Sequence, residues 1–347
     1  MLSTLQCWPP ELSEEQRAQL IDLATTYSLA NGLAYLPNPA PSGPPTSAIH
    51  APFTLIPTPY PRDLFTKAQK LQRIYNVLYS RVTLDTPFLD RVLGAEGGVG
   101  RVDEFVGTLW KGWKAIRDNN GGKELQPLHL GLFRSDYLIH QPSPESSDLS
   151  IKQVEFNTIS SSFGALSEKT AALHRYLFAI TGYYGAASCL TAENFPSNQT
   201  ASGLAGGMVV AHQAYGSASA SILFVVQPRE RNVFDQRQLE YELVEKHGIH
   251  IVRQTFDELR NNMSVSSDGL LTIKVLGRPQ PVEISVVYYR AGYAPTDYPT
   301  PQQYHVRFEI ERSRAIKCPS IPMQLAGAKK VQQVLADPGV LESFLQD

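Results

Sequence analysis

Apolar residues recur along this chain at two spacings, and the change from one to the other divides it. Behind the capping-box pattern Ser13-Glu14-Glu15-Gln16, the residues Leu20, Ile21 and Leu23 mark an amphipathic helix. A proline-rich connector occupies residues 37–61. Leu64, Ala68, Leu71, Tyr75 and Leu78 then repeat at helical spacing, as do Phe105, Leu109, Trp113 and Ile116, and both stripes predict core-facing helices. Leu128-His129-Leu130-Gly131-Leu132-Phe133 and residues 152–157 read as strands, with the polar stretch 141–150 as a hairpin loop between them.

From about Ser221 the pattern becomes strand, helix, strand. Ile222-Leu223-Phe224-Val225-Val226 is a continuous apolar run, Asp235 is placed to cap a helix carrying Leu239 and Leu243, and Gly248 is placed to end it. Residues 249–252 and Ser285-Val286-Val287-Tyr288-Tyr289 supply further strands. Continuous apolar strands joined by helices predict a parallel α/β unit covered on both faces. The chain therefore divides into a helical and antiparallel part over 1–217, a parallel α/β domain over 218–327, and a return to the first part over 328–347.

Two polar residues interrupt the apolar pattern in a chemically specific way. Glu155 and Asn157 alternate with Val154 and Phe156, so a strand here sends the carboxylate and the amide to one face while Val154 and Phe156 enter the core. Hard cations such as Mg2+ take oxygen donors of this kind and complete their shell with water and substrate phosphate. A half-buried edge strand with a polar face is the alternative. Ligands of parallel sheets sit at the carboxyl ends of the strands, where Glu230-Arg231-Asn232 and Arg290-Ala291-Gly292-Tyr293 fall, which nominates a binding edge against plain loop polarity.

Composition narrows the setting. The chain has 347 residues, 42% of them hydrophobic, with a formal charge of −2 and a pI near 6.5. It offers no basic field for nucleic acid or an anionic membrane, so small anionic ligands need local Arg and Lys. Cys7, Cys189 and Cys318 are too scattered for a disulfide framework or zinc site and read as free thiols. No stretch has the length of a signal peptide or a membrane span, which makes the cytoplasm the expected compartment. The glycine-rich stretches 94–100 and 203–207 lack a phosphate-binding pattern and read as turns, and His247 and His250 lack the acidic or thiolate company of a metal site.

Leu132-Phe133-Arg134-Ser135-Asp136-Tyr137, together with Gln153-Val154-Glu155-Phe156-Asn157-Thr158-Ile159-Ser160-Ser161-Ser162-Phe163-Gly164, resembles eukaryotic glutathione synthetase. Its members carry an R-S-D-Y strand and then Q-[IV]-E-[FI]-N-T-I-S-x-S-F-G. Ala51-Pro52-Phe53-Thr54-Leu55-Ile56-Pro57, Glu230-Arg231-Asn232-Val233-Phe234-Asp235-Gln236-Arg237, Tyr289-Arg290-Ala291-Gly292-Tyr293 and Gln324-Leu325-Ala326-Gly327-Ala328-Lys329-Lys330-Val331-Gln332-Gln333 recur in that family in this order. The resemblance thus runs from about residue 51 to the C-terminus. Family members continue well past the position of Asp347, through a glycine-rich lid, a further metal-binding Glu and the main ATP-phosphate Lys, so the chain is expected to be truncated.

What the resemblance implies is an α/β fold: an incomplete α+β ATP-grasp framework with an inserted parallel α/β substrate-binding domain. It implies an ATP-dependent ligase that joins γ-glutamylcysteine to glycine through an acyl phosphate, working as a cytoplasmic homodimer with Mg2+. Arg134, Ile159, Ser160, Ser161, Ser162, Glu230, Arg231, Asn232, Gln236, Arg290, Ala291, Gly292 and Tyr293 would hold the dipeptide, whose two carboxylates and one ammonium suit an acid, arginines and amides. Arg134 would meet a carboxylate bidentately, the alternative being an ion pair with Asp136 or Glu155. The serine hydroxyls could cap a helix as well. Glu155 and Lys329 would bind ATP, and Glu155 and Asn157 the Mg2+. A catalytically silent product that binds the dipeptide or a partner chain without turnover is the second reading.

Overall fold

The structure, a computed structural model, describes residues 8–38, 43–94, 97–143 and 146–346. Cys7 and the parts of residues 37–61, 94–100 and 141–150 outside these limits are not among the described residues.

Helix α1 (Glu14–Ala30) opens with the capping box read from the sequence: Ser13 Oγ accepts from the Gln16 N–H at 3.2 Å, and the Gln16 side chain accepts from the Ser13 N–H at 2.9 Å. Leu20 is buried, but Ile21 of the same stripe faces solvent. The short antiparallel pair β1 (Ala34–Tyr35) and β2 (Ile49–His50) follows. Helices α2 (Arg62–Leu84), α3 (Thr86–Leu93) and α4 (Glu104–Asn119) contribute Leu78, Tyr79, Leu89, Trp110 and Trp113 to one core.

The strand expected over 128–133 does not form a regular ladder. Only His129 bridges Lys317, and the Leu130 N–H donates to the Lys317 carbonyl at 3.1 Å. The Phe133 ring lies over Gly131 so closely that a Cβ there would come within 2.1 Å of it. Regular pairing begins with β3 (Arg134–His140), antiparallel to β4 (Ser150–Asn157). The register shifts between Asp136, opposite Glu155, and Tyr137, opposite Gln153. Val154 is the extra residue of this bulge, which explains why it is exposed rather than in the core as alternation predicted. Phe156 does enter the core, stacked on Tyr79 with centroids 4.1 Å apart.

Helices α5 (Gly164–Thr181) and α6 (Thr200–Tyr215) lead into the main sheet. Its strands are β5 (Ser221–Val225), β6 (Ile251–Gln254), β7 (Met263–Val265), β8 (Leu271–Ile273), β9 (Val282–Tyr289) and β10 (Ile316–Cys318). The order is β6-β5-β9-β8-β7, and β10 joins the other part of the β9 edge. β6, β5, β9 and β10 run parallel, whereas β7 and β8 are antiparallel additions. Every residue of β5 is buried. Ile222 and Phe224 pack with Met208 of α6 and Leu239 of α7 (Val233–His247), while Leu223 and Val225 join the core that holds Trp110. Burial on both faces is what the unbroken apolar run required. Gly248 ends α7 in the left-handed conformation, φ +66°, as its type predicts. The remaining helices are α8 (Phe256–Asn262), α9 (Pro301–Glu311), α10 (Ile321–Ala326), α11 (Lys329–Leu335) and α12 (Val340–Leu345).

Candidate functional site

The end of β4 carries the first cluster. Glu155 and Asn157 share one face, with Asn157 Nδ2 donating to Glu155 Oε1 at 3.1 Å. Lys329, the first residue of α11, donates to Glu155 Oε2 at 2.8 Å and to the Val154 carbonyl at 3.1 Å. Hydrogen bonds from Lys329 and then Asn157 hold the Glu155 carboxyl below the usual carboxylate range, so it is ionised at neutral pH. Arg134 grips the Asp136 carboxylate with Nε at 2.8 Å and Nη2 at 3.1 Å, and Nη2 lies 3.6 Å from Glu155 Oε1. The ion pair with Asp136 weighed as the alternative for Arg134 is therefore present, and over a third of the Arg134 side chain is open to solvent.

Directly after Asn157 the chain enters the serine turn, which is bound to the carboxyl end of β9. Ser160, at φ +51°, donates its hydroxyl to the Tyr289 carbonyl at 3.0 Å. Ser161 Oγ donates to the Leu132 and Asn157 carbonyls, both at 3.2 Å, and Ser162 Oγ to the Ser160 carbonyl at 3.1 Å. Arg290, buried at the end of β9, donates Nη1 to the Ser161 carbonyl at 3.1 Å and Nη2 to Ser162 Oγ at 2.7 Å. The serine hydroxyls do not cap α5. Asp235 does, from 70 residues away: its buried carboxylate accepts from the N–H groups of Phe163 (3.0 Å), Ala165 (3.1 Å) and Leu166 (3.2 Å) and lies 3.4 Å from Arg290 Nη1. Asp235 was expected to cap its own helix. Instead α7 starts two residues before it, with Asn232 at its N-cap and no side-chain cap. The unmet donors at the start of α5 exert the stronger claim because Phe163, its N-cap, has no oxygen to offer.

The loops at the carboxyl ends of β5 and β9 complete the edge. Glu230 accepts from the Asn232 N–H at 2.8 Å and from Gln236 Nε2 at 3.4 Å. Gln236 is fully buried, its Oε1 held by Arg253 Nη2 at 2.8 Å, so here it supports Glu230 from beneath. Arg231 is exposed but tied to the N-terminal segment, with Nε 3.2 Å from the Leu36 carbonyl and its own carbonyl accepting the Leu36 N–H at 3.0 Å. That link brings Tyr35 to the edge, where burial, and then the negative charges of Asp235 and Glu230, push its hydroxyl pKa up. Ala291 and Gly292 are buried. Tyr293 is 46% exposed, with its hydroxyl 3.0 Å from Gln227 Nε2. Gly292 sits at φ +94°, where a Cβ would come within 2.8 Å of the Tyr298 hydroxyl, so glycine is required there.

Two poles thus share the segment 157–163. One presents a carboxylate, an amide and the exposed ammonium of Lys329; the other presents a carboxylate, arginines and hydroxyls. A divalent cation fits the first, because Glu155 is ionised and Asn157 adds a hard-donor amide on the same face. Among the described residues no three His, Cys, Asp or Glu side chains lie within ligating range of one point. A metal here would draw the rest of its shell from water and phosphate. Sequence reasoning weighed Asp136 as an ion-pair partner of Arg134 and read Asp235 as a cap for its own helix without giving either a place in the site, and it missed Tyr35. Only Asp136 had a local signal, two residues after Arg134.

Residues 14–347 match the family model for the ATP-binding domain of eukaryotic glutathione synthase. The chain is 38% identical to glutathione synthetase of Bos taurus over 97% of its own length and 67% of the bovine protein. It is 36% identical to the glutathione synthetase large chain of Schizosaccharomyces pombe, over 96% of this chain and 68% of that one. Among solved structures, a glutathione synthetase-like effector from Globodera pallida in its apo form superposes with a TM-score of 0.75 at 25% identity, covering 96% of this chain and 69% of the effector. The chain spans about two thirds of the length of these relatives.

Proposed function

The chain belongs to the eukaryotic glutathione synthase ATP-binding family, and from that premise we propose that it acts in the ATP-dependent joining of γ-glutamylcysteine to glycine. A cysteinyl carboxylate oxygen attacks the γ-phosphorus of ATP and ADP leaves. The glycine amine then attacks the acyl carbon, phosphate leaves, and the tripeptide glutathione remains. Such chemistry depends on positioning and charge neutralisation more than on a general base. Mg2+, when bound, would supply that neutralisation.

In this reading Glu155 and Asn157 hold the cation, Lys329 exchanges its hydrogen bond with Glu155 for a phosphate oxygen, and Glu230, Arg134 and the serine turn hold the dipeptide. Arg290 and Gln236, both buried, act by fixing the serine turn and Glu230. The observation that carries the reading is the direct continuity of the two poles: the strand that ends in Glu155 and Asn157 runs without a break into the turn held by Arg290. By the same family resemblance we read the protein as a cytoplasmic homodimer.

The test is Glu155→Gln, which removes the carboxylate and leaves the shape. Mg2+-dependent nucleotide binding should be lost. Unchanged Mg2+ dependence would make the face of β4 structural and the assignment wrong.

A further inference from the structure

A buried residue that the functional reading leaves unused links both candidate binding loops. Gln324 of α10 is 6% exposed. Its Nε2 donates to the Gly292 carbonyl at 2.7 Å, its Oε1 accepts from Arg307 Nη2 at 3.2 Å, and its backbone carbonyl accepts from Thr158 Oγ1 at 3.0 Å. Thr158 opens the serine turn and Gly292 opens the turn that presents Tyr293. Gln324 therefore ties the two loops together, beside the direct bonds of Ser160 to Tyr289 and of Arg290 to Ser161 and Ser162.

The orientation of the amide is not free. Arg307 is fully buried, with its guanidinium 3.8 Å from the centre of the Tyr289 ring, and a guanidinium can only donate. The Gln324 oxygen must face it, which turns the NH2 toward Gly292. The Gly292 carbonyl also accepts the Tyr298 hydroxyl at 3.2 Å, and the Gly292 N–H donates to Asp297 Oδ2 at 2.8 Å. Gly292 is thus held from three sides, and of these three holds the one through Gln324 continues to Thr158 at the start of the serine turn.

We propose that Gln324 is a positioning residue for the dipeptide site: oriented by Arg307, it sets the Gly292-Tyr293 turn at its working distance from the serine turn. The proposal rests on the functional reading above. Gln324→Glu separates positioning from folding, because the new carboxylate pairs with Arg307 and retains the buried contact yet turns an acceptor toward the Gly292 carbonyl.

The experiment is calorimetric titration of the 347-residue chain with γ-glutamylcysteine, and separately with MgATP, for the parent, Gln324→Glu, Gln324→Met and Glu230→Gln, with thermal unfolding of each. Both Gln324 variants should bind the dipeptide about tenfold more weakly, the scale of one lost buried hydrogen bond. MgATP affinity should stay unchanged in both variants. Unchanged dipeptide affinity in Gln324→Glu beside weakened binding in Glu230→Gln would overturn the positioning role alone. Parent-like binding in Glu230→Gln, or no dipeptide binding by the parent, would overturn the site reading and the proposal with it. Affinity for both ligands falling in step with unfolding temperature, or loss of folding in both Gln324 variants, would assign Gln324 to stability and overturn the proposal.

Discussion

Lys329 Nζ lies 2.8 Å from Glu155 Oε2, so the first residue of α11 neutralises the carboxylate at the end of β4. This contact keeps the Glu155 carboxyl easy to ionise. Lys329→Met should move the Glu155 titration midpoint up toward the ordinary carboxylate range, read by carbon-detected NMR across an acid titration. Because the pair is solvent-exposed, the same variant should change folding stability by only about 1 kcal/mol or less. An unmoved midpoint would show that the contact does not persist in solution.

Arg134 places a planar fork on Asp136 beside Glu155. Arg134→Lys keeps the charge and loses the fork. Dipeptide affinity should fall roughly ten- to a hundredfold, the scale of a lost charged hydrogen bond of about 1.5–3 kcal/mol, with MgATP affinity little changed. Equal losses for both ligands would point to a folding defect.

Asp235 holds three backbone N–H groups of α5 and the buried Arg290 at once. Removing one partner of a buried ion pair strands the other charge, so Asp235→Ala should cost about 3–5 kcal/mol in a denaturant-unfolding measurement. Asp235→Asn, which keeps an acceptor oxygen, should cost less. A loss under about 1 kcal/mol for the alanine variant would mean that the cap contributes little.

Local signals carried much of the fold and little of the wiring of the site. The Ser13–Gln16 capping box, the buried run of β5 and the shared face of Glu155 and Asn157 each depend on residues within a few positions of one another, and all are visible in the sequence. The exposure of Val154 is not, because a bulge is a property of a strand pair. Asp235 was read as a cap for its own helix because nothing near it announces an uncapped helix 70 residues upstream. Gln324 entered only as the first residue of a motif, without a role, for a related reason. Its side chain and backbone carbonyl join loops that are brought together by the packing of β9, α9 and α10.

His174 supplies a pH dependence apart from the ligands. It is buried, its Nε2–H donates to the Thr54 carbonyl at 2.8 Å, and burial pushes its pKa below the ordinary histidine range. The unfolded chain therefore binds a proton at a pH where the folded chain does not, and stability should fall as pH drops from about 7 to 5. Unfolding free energies measured over that window should show a flatter profile in His174→Gln. A profile that keeps its slope would assign the acid sensitivity to other groups.

On the reading proposed above, one segment, 157–163, joins a metal and nucleotide pole to a dipeptide pole. The most direct measurement is a paired calorimetric titration of the 347-residue chain and its Glu155→Gln and Glu230→Gln variants with MgATP and with γ-glutamylcysteine. A double dissociation is expected: Glu155→Gln loses MgATP and retains the dipeptide, whereas Glu230→Gln retains MgATP and binds the dipeptide about tenfold more weakly, as loss of one charge-assisted contact implies. Variants that affect both ligands alike, or a parent chain that binds neither, would contradict it.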